Sequence, residues 1–205
     1  MKTQKKNGEQ AKRAFTLIEM IGVLAVIAIL AALLIPKIFE AINNARVNNA
    51  AVSYNSVKTA LADHYAKHGS LLSSNGTTIV VGGPGATNFD QTLLTEGFMD
   101  KLFQVKIGDG HSQVEVNTAL GTNVTATAAN SAYDLDGSGA GQNDAAGGVV
   151  VEALIGGVTE NDAKDLNDRL DGATLGSAIG TDDAKGRVKY ATGASTTVRI
   201  YVTHR

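Results

Sequence analysis

The sequence contains no cysteine, so disulfides, thiolate nucleophiles and Cys-ligated zinc or iron–sulfur sites are excluded. Aromatic residues make up only 5% of the chain, too little for a large aromatic-rich core. Nor is there an excess of either charge. Lys plus Arg is 18 and Asp plus Glu is 20, a net of -2, which gives no general attraction to nucleic acid. The sequence has no G-x-S-x-G, P-loop or dinucleotide fingerprint. Gly82-Gly83-Pro84-Gly85 lacks the Lys-Ser/Thr pair that a phosphate loop needs, and it reads as a turn. At 205 residues, the length fits one ordinary domain and little more.

What is present is unevenly distributed. In residues 1–14, Lys2, Lys5, Lys6, Lys12 and Arg13 oppose Glu9, a net of +4 that leaves -6 for residues 15–205. Phe15 to Ile35 then reads FTLIEMIGVLAVIAILAALLI, with Glu19 the single formal charge. As a helix this run spans roughly 32 Å, about the thickness of a bilayer core. A basic flank before an apolar run keeps the N-terminus on the cytoplasmic side. A cleaved secretory signal would have a shorter apolar stretch, about 7–15 residues, ending at a small-residue site. Here the run continues through Pro36 and Lys37 into more helix-like sequence, which favours a retained membrane helix.

A carboxylate in hydrocarbon costs several kcal/mol unless it is paired, protonated or near the interface. Glu19 lies early enough in the run to be tolerated near the headgroups. Alternatively, it has a cationic partner. A cut before Phe15 would create an α-amino group in the same apolar layer. In a straight helix that amine does not easily reach its own Glu19, whereas a neighbouring copy's amine does.

Residues 12–36, KRAFTLIEMIGVLAVIAILAALLIP, resemble the prepilin-type cleavage and methylation signal of type IV pilins and type II secretion pseudopilins. The likeness rests on the basic leader, Phe15-Thr16-Leu17-Ile18-Glu19, the unbroken apolar helix and Pro36, about an eighth of the chain. The resemblance implies a prepilin peptidase cut between Ala14 and Phe15, N-methylation of Phe15, and pairing of Glu19 with a neighbour's N-terminus in a helical filament. The family usually has Gly before the cut, where this chain has Ala14. Further implied partners are other copies or related subunits, an inner-membrane assembly platform and its ATPase. The implied location is the inner membrane, single-pass, with the head outside the cytoplasm, and then a periplasmic or extracellular filament.

Beyond Pro36, no Gly or Pro interrupts residues 37–68. Ile38, Ile42, Ala45, Val47, Ala51, Tyr54, Val57 or Lys58, Leu61 and Tyr65 form an approximate apolar stripe, and Gly69 is a fitting C-cap. A helix from Phe15 to that point would be about 80 Å long. Few globular domains enclose such a helix, so its first half belongs in a membrane or filament core and its second half against the head. Pro36, lacking an N–H, is expected to kink or locally melt it.

In the rest of the chain, Thr77–Val81 reads as a strand. Asp90–Glu96 and Met99–Phe103 read as helical turns, and Gln104–Ile107 with Gln113–Thr118 as a hairpin across Gly108-Asp109-Gly110. Ser131–Gly148 reads as a loop and Val149–Val158 as a strand, although Glu152 leaves a helix open. Thr159 with Asp162 is a capping-box pattern opening a helix through Ala163, Leu166 and Leu170 to Gly172. Arg187–Ala191 and Thr197–Thr203 form a terminal hairpin. The expected organisation is a leader 1–14, a membrane or filament-core helix 15–36, an amphipathic continuation 37–69 and a head 70–205. The fold class is α+β, a long N-terminal helix packed on a small antiparallel sheet, as in pilins.

The head offers one candidate metal site. Asp134, Asp136 and Ser138 put oxygen at alternate positions, and Gly139 follows at the sixth, as in the front of a calcium loop. The twelfth position is Ala145, where an EF-hand needs Glu; Gln142, Asn143 or Asp144 are left to complete a different cage. The resemblance adds support for calcium, since major pseudopilins carry a calcium loop in the head, but no motif is matched residue by residue and a solvated Asp/Gly-rich loop is the preferred reading. Asp182-Asp183 is a weaker acidic candidate. His64, His68, His111 and His204 match no metal signature and read as surface or packing residues, although His64 and His68 share a helix face. Lys37, Arg46, Lys58 and Lys67 are scattered rather than striped, and no nucleic-acid partner is expected. Asn75 and Asn123 sit in sequons, which are common by chance.

The sequence therefore reads as a filament subunit without chemistry of its own. Gly22, Ala25, Ala28, Ala31 and Ala32 permit close helix approach, while Glu19 and Pro36 contribute register and local shape. The alternatives are a monomeric, membrane-anchored binding module and, more remotely, a membrane enzyme.

Overall fold

The computed structural model describes residues 15–69, 71, 88–139 and 143–205. Helix α1 is Leu17–His68, followed by α2 (Phe89–Thr95), β1 (Ser112–Thr118), β2 (Val149–Val158), α3 (Glu160–Leu170), β3 (Val188–Lys189) and β4 (Thr196–His204). The expected strand at 77–81 and the turn at 82–85 lie outside the described residues. The chain divides into two compact units, Met1–Ile42 and Asn43–Arg205.

Within the first unit, α1 carries no tertiary burial. Seventeen large apolar side chains from Phe15 to Ile42 are exposed, Phe15, Leu17 and Ile18 by more than 70%. The helix runs through Pro36 without a break, contrary to the expected local melting. One missing N–H leaves the surrounding turns of a long helix with bonds of their own.

In the second unit, α1 buries Val47, Ala50, Tyr54, Val57, Leu61 and His64, alternating by three and four residues, together with Ala60. That spacing holds one face of a helix towards a partner. Ala50 and His64 occupy places that the sequence pattern assigns to Ala51 and Tyr65. Small Ala50 lets the sheet approach, and His64 is drawn inward by Glu96. Gly69, with φ +65°, closes the helix, and its N–H donates to the Tyr65 carbonyl at 2.8 Å.

The partner is a four-stranded antiparallel sheet in the order β1-β2-β4-β3. Odd-numbered Val151, Ala153 and Ile155 of β2 join Val198, Ile200 and Val202 of β4, Val114 and Val116 of β1, and the α1 stripe in one core. Tyr54 ties helix to sheet by donating its hydroxyl to the Tyr201 carbonyl at 2.7 Å. α3 completes this layer: Arg169 donates to Asn44 and Asn48, and Asn43 donates to Asp162 at 2.7 Å. Its cap forms as the sequence predicts, with Thr159 Oγ1 accepting from the Asp162 N–H at 3.3 Å.

The opposite face of β2 explains why this strand is apolar almost throughout. Val150 packs there with Tyr133 and Ala145 of the long β1–β2 connection. Glu152, fully buried on that face, accepts from Asn117 (2.5 Å), Ser131 (2.5 Å) and Tyr133 (2.7 Å), and pairs with Arg199 at 3.1 Å. A buried carboxylate with this many partners suits a strand centre, so the helical alternative for this segment falls. Lys189, also fully buried, donates to the carbonyls of Thr127, Asn130 and Ala132 and lies 3.9 Å from the centre of the Tyr133 ring. Burial lowers its ammonium to about 7, opposed by the charge of Glu152.

Two expected elements are corrected. Met99–Phe103 is irregular rather than helical: Asp90 of α2 accepts from the Phe103 N–H at 3.1 Å and fixes that segment as a loop. Gln104–Ile107 is not a strand, and β1 pairs with β2 instead. The Gly108-Asp109-Gly110 turn packs against an irregularity in β2 at Gly156-Gly157, with Asp109 N–H to Gly156 O at 3.1 Å. Gly108 has φ +76°, and a Cβ there would meet Gly156 O at 2.1 Å, so no side chain fits.

Candidate functional site

Thr16 and Glu19 open α1 as a reciprocal pair. Glu19 Oε2 accepts from the Thr16 N–H at 2.8 Å and from its hydroxyl at 2.9 Å, while Thr16 Oγ1 accepts from the Glu19 N–H at 3.3 Å. This is a capping box, and it also puts a negative charge at the positive end of the helix. The Thr-x-x-Glu spacing that announces it is plain in the sequence, but the apolar context draws attention to the charge rather than to the cap. Phe15, Glu19, Gly22, Val23, Val26 and Ile27 line one shallow open groove on this stretch. A Cβ added to Gly22 would meet nothing within 4 Å. Gly22 is thus not required by the isolated chain, and the groove has room for another helix. Ala14 lies outside the described residues; Phe15 is exposed immediately before the cap. Pro36 lies inside α1.

The acidic loop of the head brings its carboxylates together. Oxygens of Asp134, Asp136 and Asp144 lie within 4.8 Å of one another. Each is also held by backbone: Asp134 accepts from Gly139 N–H (2.9 Å), Asp136 from Ser138 N–H (2.8 Å), and Asp144 from Leu135 N–H (2.7 Å). The Ser138 N–H is the main reason the Asp136 carboxyl lies below its ordinary range. Gly139, with φ +66°, turns the chain at the sixth position as the sequence pattern expects, and Gly137, with φ +69°, adds a second turn two positions earlier. Three convergent carboxylates are the hard oxygen set that calcium takes. Asp144 is the neighbour that joins them. Asn143 instead turns inward and accepts from Tyr133 and Ala145 N–H groups, and Gln142 lies outside the described residues. Asp183 is buried, and its carboxylate accepts from Asn167, Ser177 and Lys185. Burial raises its carboxyl, which fits a structural tie better than a second cation loop.

Residues 10–35 match the family model described as the prokaryotic N-terminal methylation motif. The chain carries a prepilin-type methylation motif. No curated protein and no solved structure matches the chain. The motif spans Ala14, Phe15, Glu19 and Gly22 and ends one residue short of Pro36, so it covers the capping box and the groove beside it. Together with a long helix laid on a small antiparallel sheet, it is consistent with a pilin or pseudopilin assignment. The motif implies processing by a prepilin peptidase and association with a membrane. Among the described residues, one helix near the N-terminus is long and apolar enough to cross a membrane, consistent with a single-pass anchor. The motif is that of structural pilin subunits, and among the described residues no clear catalytic cluster comes together.

Proposed function

We propose that the chain is a structural subunit of a type IV pilus-like or type II secretion pseudopilus filament, assembled through α1 after a cut between Ala14 and Phe15. The carrying observation is the bare apolar surface of residues 15–42, which begins inside the motif and continues past its end. Burying one Leu, Ile or Phe side chain is worth about 1.5–3 kcal/mol, so seventeen exposed ones represent tens of kcal/mol. Water is not a tenable surrounding for such a surface. Lipid covers it first, and neighbouring copies of α1 cover it after assembly. Because lipid and helix are equally apolar, that exchange is driven by close packing at Gly22 and the alanines and by polar contacts. Glu19 contributes the polar contact by taking the methylated amine of a neighbour's Phe15. The head, anchored outside the cytoplasm, coats the filament, and its Asp134–Asp136–Ser138 loop, with Asp144, holds calcium. The assembly platform and its ATPase supply the work of extraction from the membrane.

A second reading has its own support. The capping box accounts for Glu19 within one chain, as in a monomeric anchored binding module. Glu19→Ala separates the two. In the filament reading the variant inserts into the membrane but its yield of sheared filaments falls at least about tenfold; in the anchor reading function and insertion are both intact. Mass spectrometry of the mature chain should find methylated Phe15 at the N-terminus. A functional chain that retains residues 1–14 overturns the filament reading. Calcium titration of the detergent-solubilised chain should lose its binding signal in Asp134→Ala.

A further inference from the structure

A cluster outside both sites joins residues that no sequence motif links. His64 and His68 stand four apart on the last turns of α1, and Glu96 caps the C-terminus of α2. His64 Nε2 is 3.0 Å and His68 Nε2 3.7 Å from Glu96 Oε2. One ligand atom from each of the three lies within 4.8 Å of the others. The His64 side chain is fully buried and Glu96 is 9% exposed, while His68 is 22% exposed. Phe89 and Phe98 present their rings edge-on to His64, and Phe98 does so to His68 as well.

We infer that His64, His68 and Glu96 form a site for a divalent transition metal of the zinc type. Two imidazole nitrogens and one carboxylate oxygen are a donor set that zinc accepts, with water completing the shell. Histidines at i and i+4 bring two donors to one side of a helix without a loop. Glu96 arrives fixed: its N–H donates to the Thr92 carbonyl at 2.9 Å, and the following Gly97, with φ +80°, turns the chain so that Phe98 N–H returns to Leu93 O at 2.8 Å. A carboxylate at a helix C-terminus faces the negative end of the dipole, so a cation there relieves an unfavourable placement. Each histidine supplies part of that charge when protonated, and Lys67 stands 5.2 Å from the Phe98 ring centre. A dication supplies more and needs no proton on either ring. The partly exposed edge of His68 is the way in. The bound ion clamps the end of α1 to α2, inside the head and independently of filament assembly.

The test uses the full chain in detergent, untagged, stripped with chelator and titrated with Zn²⁺ alone. About one zinc per chain should bind, and the thermal midpoint should rise with zinc by several degrees. His68→Gln and Glu96→Gln should each weaken binding at least about tenfold and abolish the rise. X-ray absorption of the wild-type zinc complex should show two imidazoles and light-atom ligands at about 2.0–2.2 Å. That measurement stands even if a variant fails to fold. No zinc uptake, uptake unchanged by both substitutions, uptake lost instead with Asp134→Asn, or a spectrum without imidazole overturns the site.

Discussion

The two parts of α1 obey different rules. From Phe15 to Ile42 nearly every side chain is apolar and all are exposed; from Val47 to His64 the buried positions alternate by three and four, with polar residues between. The later part derives its stability from the sheet beneath it. Among the described residues, the earlier part has helix propensity, a capping box and one exposed Lys37–Glu40 ion pair, but no tertiary partner. Amphipathicity marks a helix that has found its partner, whereas uniform apolarity marks one whose partner is elsewhere.

This contrast can be broken from either side. Gly22→Leu fills open space in the isolated chain, so the thermal midpoint of the head should not move, whereas filament yield should fall to near zero because neighbouring helices cannot approach. An unchanged yield would mean that this face packs against nothing. Ile155→Ala, at a fully buried sheet position, should do the opposite: lower head stability by about 2–5 kcal/mol in chemical denaturation while membrane insertion is untouched.

A pH series sharpens the comparison further. Lys189 is lowered to about 7 in the folded head, below its ordinary value of 10.5. Between those values the unfolded chain holds a proton that the folded one releases, so stability should rise with pH from about 7 towards about 10 and level off above. Lys189→Met should flatten that rise. The smallest effect belongs to Thr159→Ala. Loss of its cap on α3 should cost about 0.5–2 kcal/mol, read as a shift in denaturant midpoint at constant slope.

Local signals explain what the sequence revealed. The absence of Gly and Pro from 37 to 68, the αL Gly69, the Thr159 cap and the terminal hairpin each depend on a few adjacent residues, and each is found where expected. Distant pairings stayed hidden. β1 finds β2 across a connection of thirty residues, 119–148, placing Glu115 directly opposite Glu152. Like charges at such a position argue against the pairing until Asn117 is seen donating to both and Arg199 meeting Glu152. Asp144, one of three neighbours the sequence left open, joins Asp134 and Asp136, while Glu96 joins two histidines by a route no spacing rule encodes. The motif at residues 10–35 was legible because membrane insertion, cleavage and capping all read a contiguous stretch.

Lys189 holds the β1–β2 connection by three main-chain oxygens, of Thr127, Asn130 and Ala132. Every amino acid offers the same oxygen, so this grip is indifferent to which side chains the connection displays. Evolution is free to repaint that outer face residue by residue while the frame beneath stays put. A surface that drifts cheaply on a fixed scaffold suits a protein whose exterior must keep pace with changing surroundings.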